Sequence, residues 1–309
     1  TNGWVNGSGD SVCSWTFRKA PKFFDVVTYT GNGPTGTSSD TPQTISHNLG
    51  SVPGMIIVKK TSGTSGWFTF HRSTGSSKYL RLETTSAASN STDGGAWGTY
   101  DPTSTDFKVG YLANDNGASY VAYLFAHNNS DGDFGPDSDQ DVIKCGSYSG
   151  NSSTDGPEIN LGFEPQFIMM KKHIGGTGNW FVADAMRGLI VGGSEEFLRW
   201  NRNDAETNVY GDIFAVTPTG FKLVTASGTF NDSADEYIYM AIRRGPLAEP
   251  ENATDVFDVN TYSNNGNSNI YNTGFNADMN INKNATSSDG FYVIDRLRGQ
   301  PFLLTNNNV

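Results

Sequence analysis

The sequence predicts an all-β protein of tandem jelly-roll or concanavalin-like β-sandwiches, and three observations predict it. The first is an internal repeat. Leu49-Gly50-Ser51-Val52-Pro53-Gly54-Met55-Ile56-Ile57-Val58-Lys59-Lys60 returns about 112 residues later as Leu161-Gly162-Phe163-Glu164-Pro165-Gln166-Phe167-Ile168-Met169-Met170-Lys171-Lys172. A weaker third copy, Gly274 to Lys283, keeps the Gly and the Lys and loses the Pro. The second is composition: 36 Gly, 19 Phe and 13 Tyr with only 17% charged residues favour turn-rich β structure over amphipathic helices. The third is pattern, since short aromatic and β-branched runs alternate with Gly, Asn and Asp turns throughout.

Taken in order, each unit opens with a strand closed by a Gly-Asn-Gly-like turn: Phe24 to Gly33, Ile143 to Asn151 and Phe257 to Gly266, with Tyr29, Tyr148 and Tyr262 in register. The repeated stretch follows. Its Pro fixes the backbone ahead of a strand whose unbroken apolar run reads as buried on both faces, with Lys at the solvent end. Next come Trp67 to His71, Trp180 to Asp184 and Phe291 to Asp295, then Tyr79 to Glu83, Phe197 to Asn201 and Phe302 to Asn306. Phe107 to Val109 and Phe221 to Leu223 precede a closing Tyr-rich strand, Tyr120 to Phe125 and Tyr237 to Ile242, each entered through an Asn/Asp turn. At least six strands per unit, with similar strands far apart in sequence, favour jelly-roll connections over a meander.

These elements divide the chain into residues 1–20 (the closing strand of a preceding unit, carrying Trp15 to Lys19), 21–127 and 141–246 (two complete sandwiches), and 255–309 (a partial third). Residues 128–140 form an acidic linker and 247–254 a stiffer, Pro-containing one. Thr1 falls inside a unit, so the chain reads as cut from a longer parent.

A formal charge of −11 argues against a nucleic-acid partner, which needs clustered Lys and Arg. No apolar run approaches the roughly 18 residues that span a bilayer. The two cysteines, Cys13 and Cys145, are too few for a disulfide scaffold and read as buried free thiols.

Candidate chemistry is sparse. Asp131, Asp133, Asp137, Asp139 and Asp141 lie on one Gly-containing loop and could supply the oxygens that calcium prefers, although the loop lacks the Gly and Glu of an EF-hand and reads first as a solvated acidic linker. His47, His71, His127 and His173 have no metal-ligand spacing and read as structural or surface residues. The nearest approach to a nucleophile elbow, Gly146 to Gly150, has Tyr148 in place of the Ser. Glu195 and Glu196 are adjacent, and adjacent strand residues point to opposite faces, so they do not form a glycosidase pair. Asp184 and Asp295 align, but with His71 in the first unit; the column reads as structural. Trp67 and Trp180 occupy matching positions in apolar strands and read as core. The loop Thr84 to Thr103 has no counterpart in the second unit, which marks Trp97 and Tyr100 as ligand-binding candidates.

Together Phe24 to Gly33 (FDVVTYTGNG), Ile45 to Lys60 (ISHNLGSVPGMIIVKK), Tyr120 to His127 (YVAYLFAH) and Tyr237 to Pro246 (YIYMAIRRGP) resemble a repeated, uncharacterised domain of marine tailed-phage structural proteins, cyanophages among them. The resemblance implies a virion appendage of tail-fibre or other host-facing type, with a lectin-like sandwich and no catalytic residues. Implied partners are other virion proteins, further copies of the chain, for instance as a trimer, and a host cell-surface glycan, met outside the cell. A capsid-decorating or head-fibre protein and a glycan-degrading tailspike enzyme are the alternative expectations.

Overall fold

The structure is a computed structural model that describes residues 12–33, 42–91, 95–189 and 192–245, with short stretches between 252 and 304. The described residues are all-β, with antiparallel sheets and a short 3-10 turn at Tyr111–Ala113. Among the described residues no helix is long and apolar enough to cross a membrane.

The first sandwich contains β1 (Phe24–Thr30), β2 (Gln43–Ser46), β3 (Pro53–Lys60), β4 (Trp67–His71), β5 (Lys78–Arg81), β6 (Ser89–Asn90), β7 (Asp106–Val109) and β8 (Ser119–Ala126). Its large sheet has the order β1-β8-β3-β4-β5-β6, and β2 pairs with β7 in a small one. The second contains β9 (Ile143–Ser149), β10 (Glu158–Asn160), β11 (Pro165–Ile174), β12 (Trp180–Asp184), β13 (Leu198–Arg199), β14 (Phe214–Thr217), β15 (Gly220–Leu223) and β16 (Glu236–Arg243). Here the large sheet is β9-β16-β11-β12-β13 and the small one β10-β15-β14. The two orders match strand for strand, except that β6 and β14 have no counterpart. Beyond them, β17 (Met279–Asn282), β18 (Tyr292–Asp295) and β19 (Leu303–Leu304) form a sheet in the order that β3, β4 and β5 take.

The pairing of each unit's first and last strands, β1 with β8 and β9 with β16, repeats in atomic detail. Tyr29 stacks on Tyr120 and Tyr148 on Tyr237, both at 4.9 Å between centroids. Their hydroxyls donate to the carbonyls of Ala113 and Phe230, each at 2.7 Å. Asn114 and Asn231 accept from the N–H of Asn32 and Asn151, at 2.9 and 2.8 Å. Glycine is required beside these bonds: a Cβ on Gly31 or Gly150 would stand 2.3 or 2.2 Å from the carbonyl oxygen of Asp115 or Asp232.

The strands that begin at Pro53 and Pro165 are buried on both faces, as their unbroken apolar runs predict. Alternation sends Ile168, Met170 and Phe181 into the second sandwich's own core, with Phe214 and Phe221 of its small sheet. Their neighbours Phe167, Met169, Trp180 and Val182, with Ile238 and Met240, point the other way and join the core of the first sandwich. The two large sheets therefore pack back to back. Gly54 marks a close approach, since a Cβ there would lie 2.8 Å from Cβ and Sγ of Cys145. Across this seam Trp180 Nε1 donates to Arg81 O at 3.0 Å, Lys171 Nζ to Thr85 O at 2.9 Å, and Gly178 N to Thr85 O at 2.8 Å.

Three expectations need correction. Residues 12–19 form no strand, so Trp15 to Lys19 does not close a preceding sandwich; residues 1–11 lie outside the described residues. Of Phe257 to Gly266, residues 257–261 are without strand and the rest, Tyr262 included, lie outside the described residues. Cys13 is exposed, because it lies on this unpaired segment and not in a core strand; Cys145 is buried, and burial pushes its thiol up to about 12.

Candidate functional site

The segment Val12–Lys19 has an alternating pattern without a ladder: Trp15 and Phe17 turn inward, half-buried, while Ser14, Thr16 and Arg18 are exposed. It acts as a strap across both sandwiches. Phe17 packs on Phe24 at 5.3 Å and edge-on to Phe125 at 5.5 Å, all in the first. Trp15 reaches the second, edge-on to Phe167 at 5.9 Å and tilted against Trp200 at 6.3 Å.

Asp184, at the end of β12, fixes the strap. Its Oδ2 accepts from Trp15 Nε1 at 3.0 Å and from Arg187 Nε at 2.7 Å. Its Oδ1 accepts the N–H groups of Met186 and Arg187, both at 3.1 Å. The Arg187 guanidinium lies 5.2 Å over the Trp15 ring and also binds Glu206 at 3.1 Å. Both carboxylate oxygens are thus filled, and Asp184 is a positioning group.

Between the strap and the ends of β11, β12 and β16 lies a pocket of about 520 Å³. Trp15, Phe17, Phe23 and Phe167 supply ring edges and faces, while Ser14, Thr16, Gln166 and Arg244 supply polar groups. Gln166 is exposed, and Arg244 pairs with Glu164 at 3.9 Å. Met186 stands at the rim, 85% exposed. Aromatic walls with a few amide, hydroxyl and guanidinium donors suit an amphipathic ring that offers C–H groups on one side and hydroxyls on the other.

The sequence-derived candidates lie elsewhere. Trp97 is 1% exposed and packs edge-on against Phe70, so it is a core residue and not a ligand contact. Tyr100 is exposed, with Lys108 Nζ 3.7 Å over its ring. The five aspartates do not converge. Asp131 accepts from Asn129 N at 2.7 Å, Asp133 pairs with Lys22 at 2.9 Å, and Asp141 accepts from Ser130 N and Gly132 N at 2.8 and 3.0 Å. Asp137 and Asp139 point into solvent. Among the described residues no group of three His, Cys, Asp or Glu side chains could hold a metal ion. The loop's own N–H groups satisfy carboxylates that a calcium site would have needed.

Glu195 and Glu196 also diverge, outside any strand. Glu195 is fully buried and accepts from Ile213 N at 2.8 Å and Phe214 N at 3.0 Å; burial pushes its carboxyl up to about 8 against the pull of these bonds. Glu196 accepts from Asn208 at the surface. Sequence reasoning missed the strap pocket, because Trp15 and Phe17 were assigned to another unit; their period-two aromatic spacing was the available signal.

Fold and site define a tandem β-sandwich protein with a strapped aromatic pocket. The family described as a domain of unknown function (DUF7483) matches residues 2–246, and the chain belongs to that family. The matched span takes in the strap and both sandwiches together. No curated protein and no solved structure matches the chain.

Proposed function

We propose that this chain is a non-enzymatic structural and attachment segment of a tailed-phage virion, of tail-fibre type, whose lectin-like sandwiches face the medium and bind a host cell-surface glycan. The observation that carries this reading is the pocket beneath the strap. Its aromatic walls suit the C–H faces of a sugar ring, and Gln166, Ser14 and Thr16 suit its hydroxyls. Asp184 is saturated by four donors, which fits a binding wall better than an acid or base. Single-site affinity is weak in this reading. Several copies in a trimer or along a fibre raise it by avidity, on the order of 10² to 10⁴.

The test is calorimetric titration of the protein with soluble fragments of host surface polysaccharide. Saturable binding that Gln166→Ala and Thr16→Ala weaken together by about tenfold supports the reading. Binding that both variants retain, or polysaccharide cleavage, overturns it. Density for the chain on an intact particle decides between the tail and the capsid, the latter favouring a decorating role.

A further inference from the structure

Three of the four histidines gather at the seam between the sandwiches. His71, at the end of β4, is 1% exposed. Its Nδ1 accepts the N–H of Ser73 at 3.2 Å, and its Nε2 faces the carbonyl of Tyr239, in β16 of the other sandwich, at 3.1 Å. Those partners fix the neutral Nε2–H tautomer, because an N–H must meet an acceptor and a carbonyl must meet a donor. His127 follows β8 and accepts the N–H of Cys145, in β9, through Nδ1 at 3.2 Å. His173, in β11, is 4% exposed; its carbonyl accepts Ala88 N at 3.1 Å across the seam, and neither ring nitrogen has a hydrogen-bond partner.

We propose that this seam is an acid-released clasp: the two large sheets stay packed only while His71 and His127 are neutral. A proton on either Nδ1 sets two donors face to face, so the bond to Ser73 or Cys145 must break. For His71 the ring must also leave a site that excludes water, and its tie to Tyr239 leaves with it. Nearby charge offers no relief. His71 faces Arg72, His127 and His173; His127 faces Arg72, Lys144 and Asp131; His173 faces Glu236, Lys78 and Lys171. Four cations thus stand against two carboxylates. Lys171 is pushed down to about 8 by burial and is charged throughout the acid range.

Burial holds His71 down at about 3 and His127, with help from Arg72 and Lys144, at about 4. An unfolded histidine titrates near 6.5. A folded value below the unfolded one means that the stabilisation is complete above about pH 6.5 and is lost as pH falls toward these values. At pH 5 the fully buried His71 alone shifts the seam equilibrium by about 30-fold toward opening, and the partly exposed His127 adds a smaller, solvent-screened shift of the same sign. Glu195 works with the opposite sign but inside the second sandwich, away from the seam. The clasp rests on the seam alone and stands or falls separately from glycan attachment.

Hydrogen exchange of the full chain at pH 7 and pH 5, corrected for intrinsic rates, tests it. The seam amides of Cys145, Ala88 and Gly178 are expected to lose at least about 30-fold more protection than those of the β14–β15 hairpin. Asn mimics Nδ1 as an acceptor and does not titrate, so His71→Asn with His127→Asn is expected to abolish the difference. Parallel loss at seam and hairpin, or an unchanged difference in the double variant, overturns the proposal. Should that variant fail to fold, the imidazole resonances of the unmodified protein decide: either histidine titrating above about pH 5 in the folded state overturns it.

Discussion

In the first sandwich Lys59 lies 5.4 Å over the Trp67 ring, and in the second Lys171 lies 5.9 Å over Trp180. The pairs share a register, β3 against β4 and β11 against β12. Trp67 is nevertheless half-buried, whereas Trp180 is 1% exposed and Lys171 fully buried. The stretch from Arg81 to Ala88 of the first sandwich covers the second pair, accepting from both side chains through the carbonyls of Arg81 and Thr85. The comparison teaches that strand position sets which way a residue points, while its neighbour across the seam sets how deeply it is buried.

The largest expected effect is the sharpest way to break this comparison. Trp180→Ala should cost about 3–5 kcal/mol in denaturant unfolding, while Trp67→Ala should cost about 1–2 kcal/mol. Equal losses would mean that the seam contributes nothing.

Glu195 is a buried clip in the second sandwich with no counterpart among the described residues of the first. Glu195→Ala orphans the N–H groups of Ile213 and Phe214 and should cost about 1–3 kcal/mol. A carboxyl raised to about 8 binds its proton more tightly folded than unfolded, so its contribution declines as pH rises from about 4.5 to 8. Glu195→Gln, which cannot ionise, should remove that slope from a melting series across pH.

The pairings of first with last strand, by contrast, are alike in the two sandwiches, so Tyr29→Phe and Tyr148→Phe should each cost about 1 kcal/mol. A difference well beyond that value would show that the shared geometry hides unequal strain. Smallest of all, Tyr100→Ala should cost about 0.5 kcal/mol, since its contact with Lys108 is at the surface. Chelation should leave the melting temperature unchanged, because loop N–H groups and Lys22 already occupy Asp131, Asp133 and Asp141.

Local order was well written in the sequence. Pro53 and Pro165 do start strands buried on both faces, and Tyr29 and Tyr148 do share one role. The repeat spacing itself is local, since the prolines stand 112 residues apart and the tyrosines 119, the loops between them differing in length. Function-bearing loops were less legible. A stretch unique to the first unit suggested exposure for Trp97, but uniqueness says nothing about where a side chain packs, and an indole gains more by filling the space beside Phe70. Alternating aspartates likewise suggested a cation, yet a tight loop presents its own N–H groups to carboxylates at no cost in ordering an ion. The pocket was hidden for a third reason, because Trp15 reaches Asp184 across 169 residues of sequence.

By itself, then, the sequence determined most of the strands, their repetition from unit to unit and the burial of the Pro53 and Pro165 strands on both faces, because these follow from side-chain alternation and turn chemistry over short distances. Tertiary structure alone decided what covers the outer face of each large sheet. Two apolar sheet faces are interchangeable in composition, and it is specific contacts such as the fit of Gly54 against Cys145, the bonds from His71 to Tyr239 and from Trp180 to Arg81, and the strap through Trp15 that select each as the other's partner.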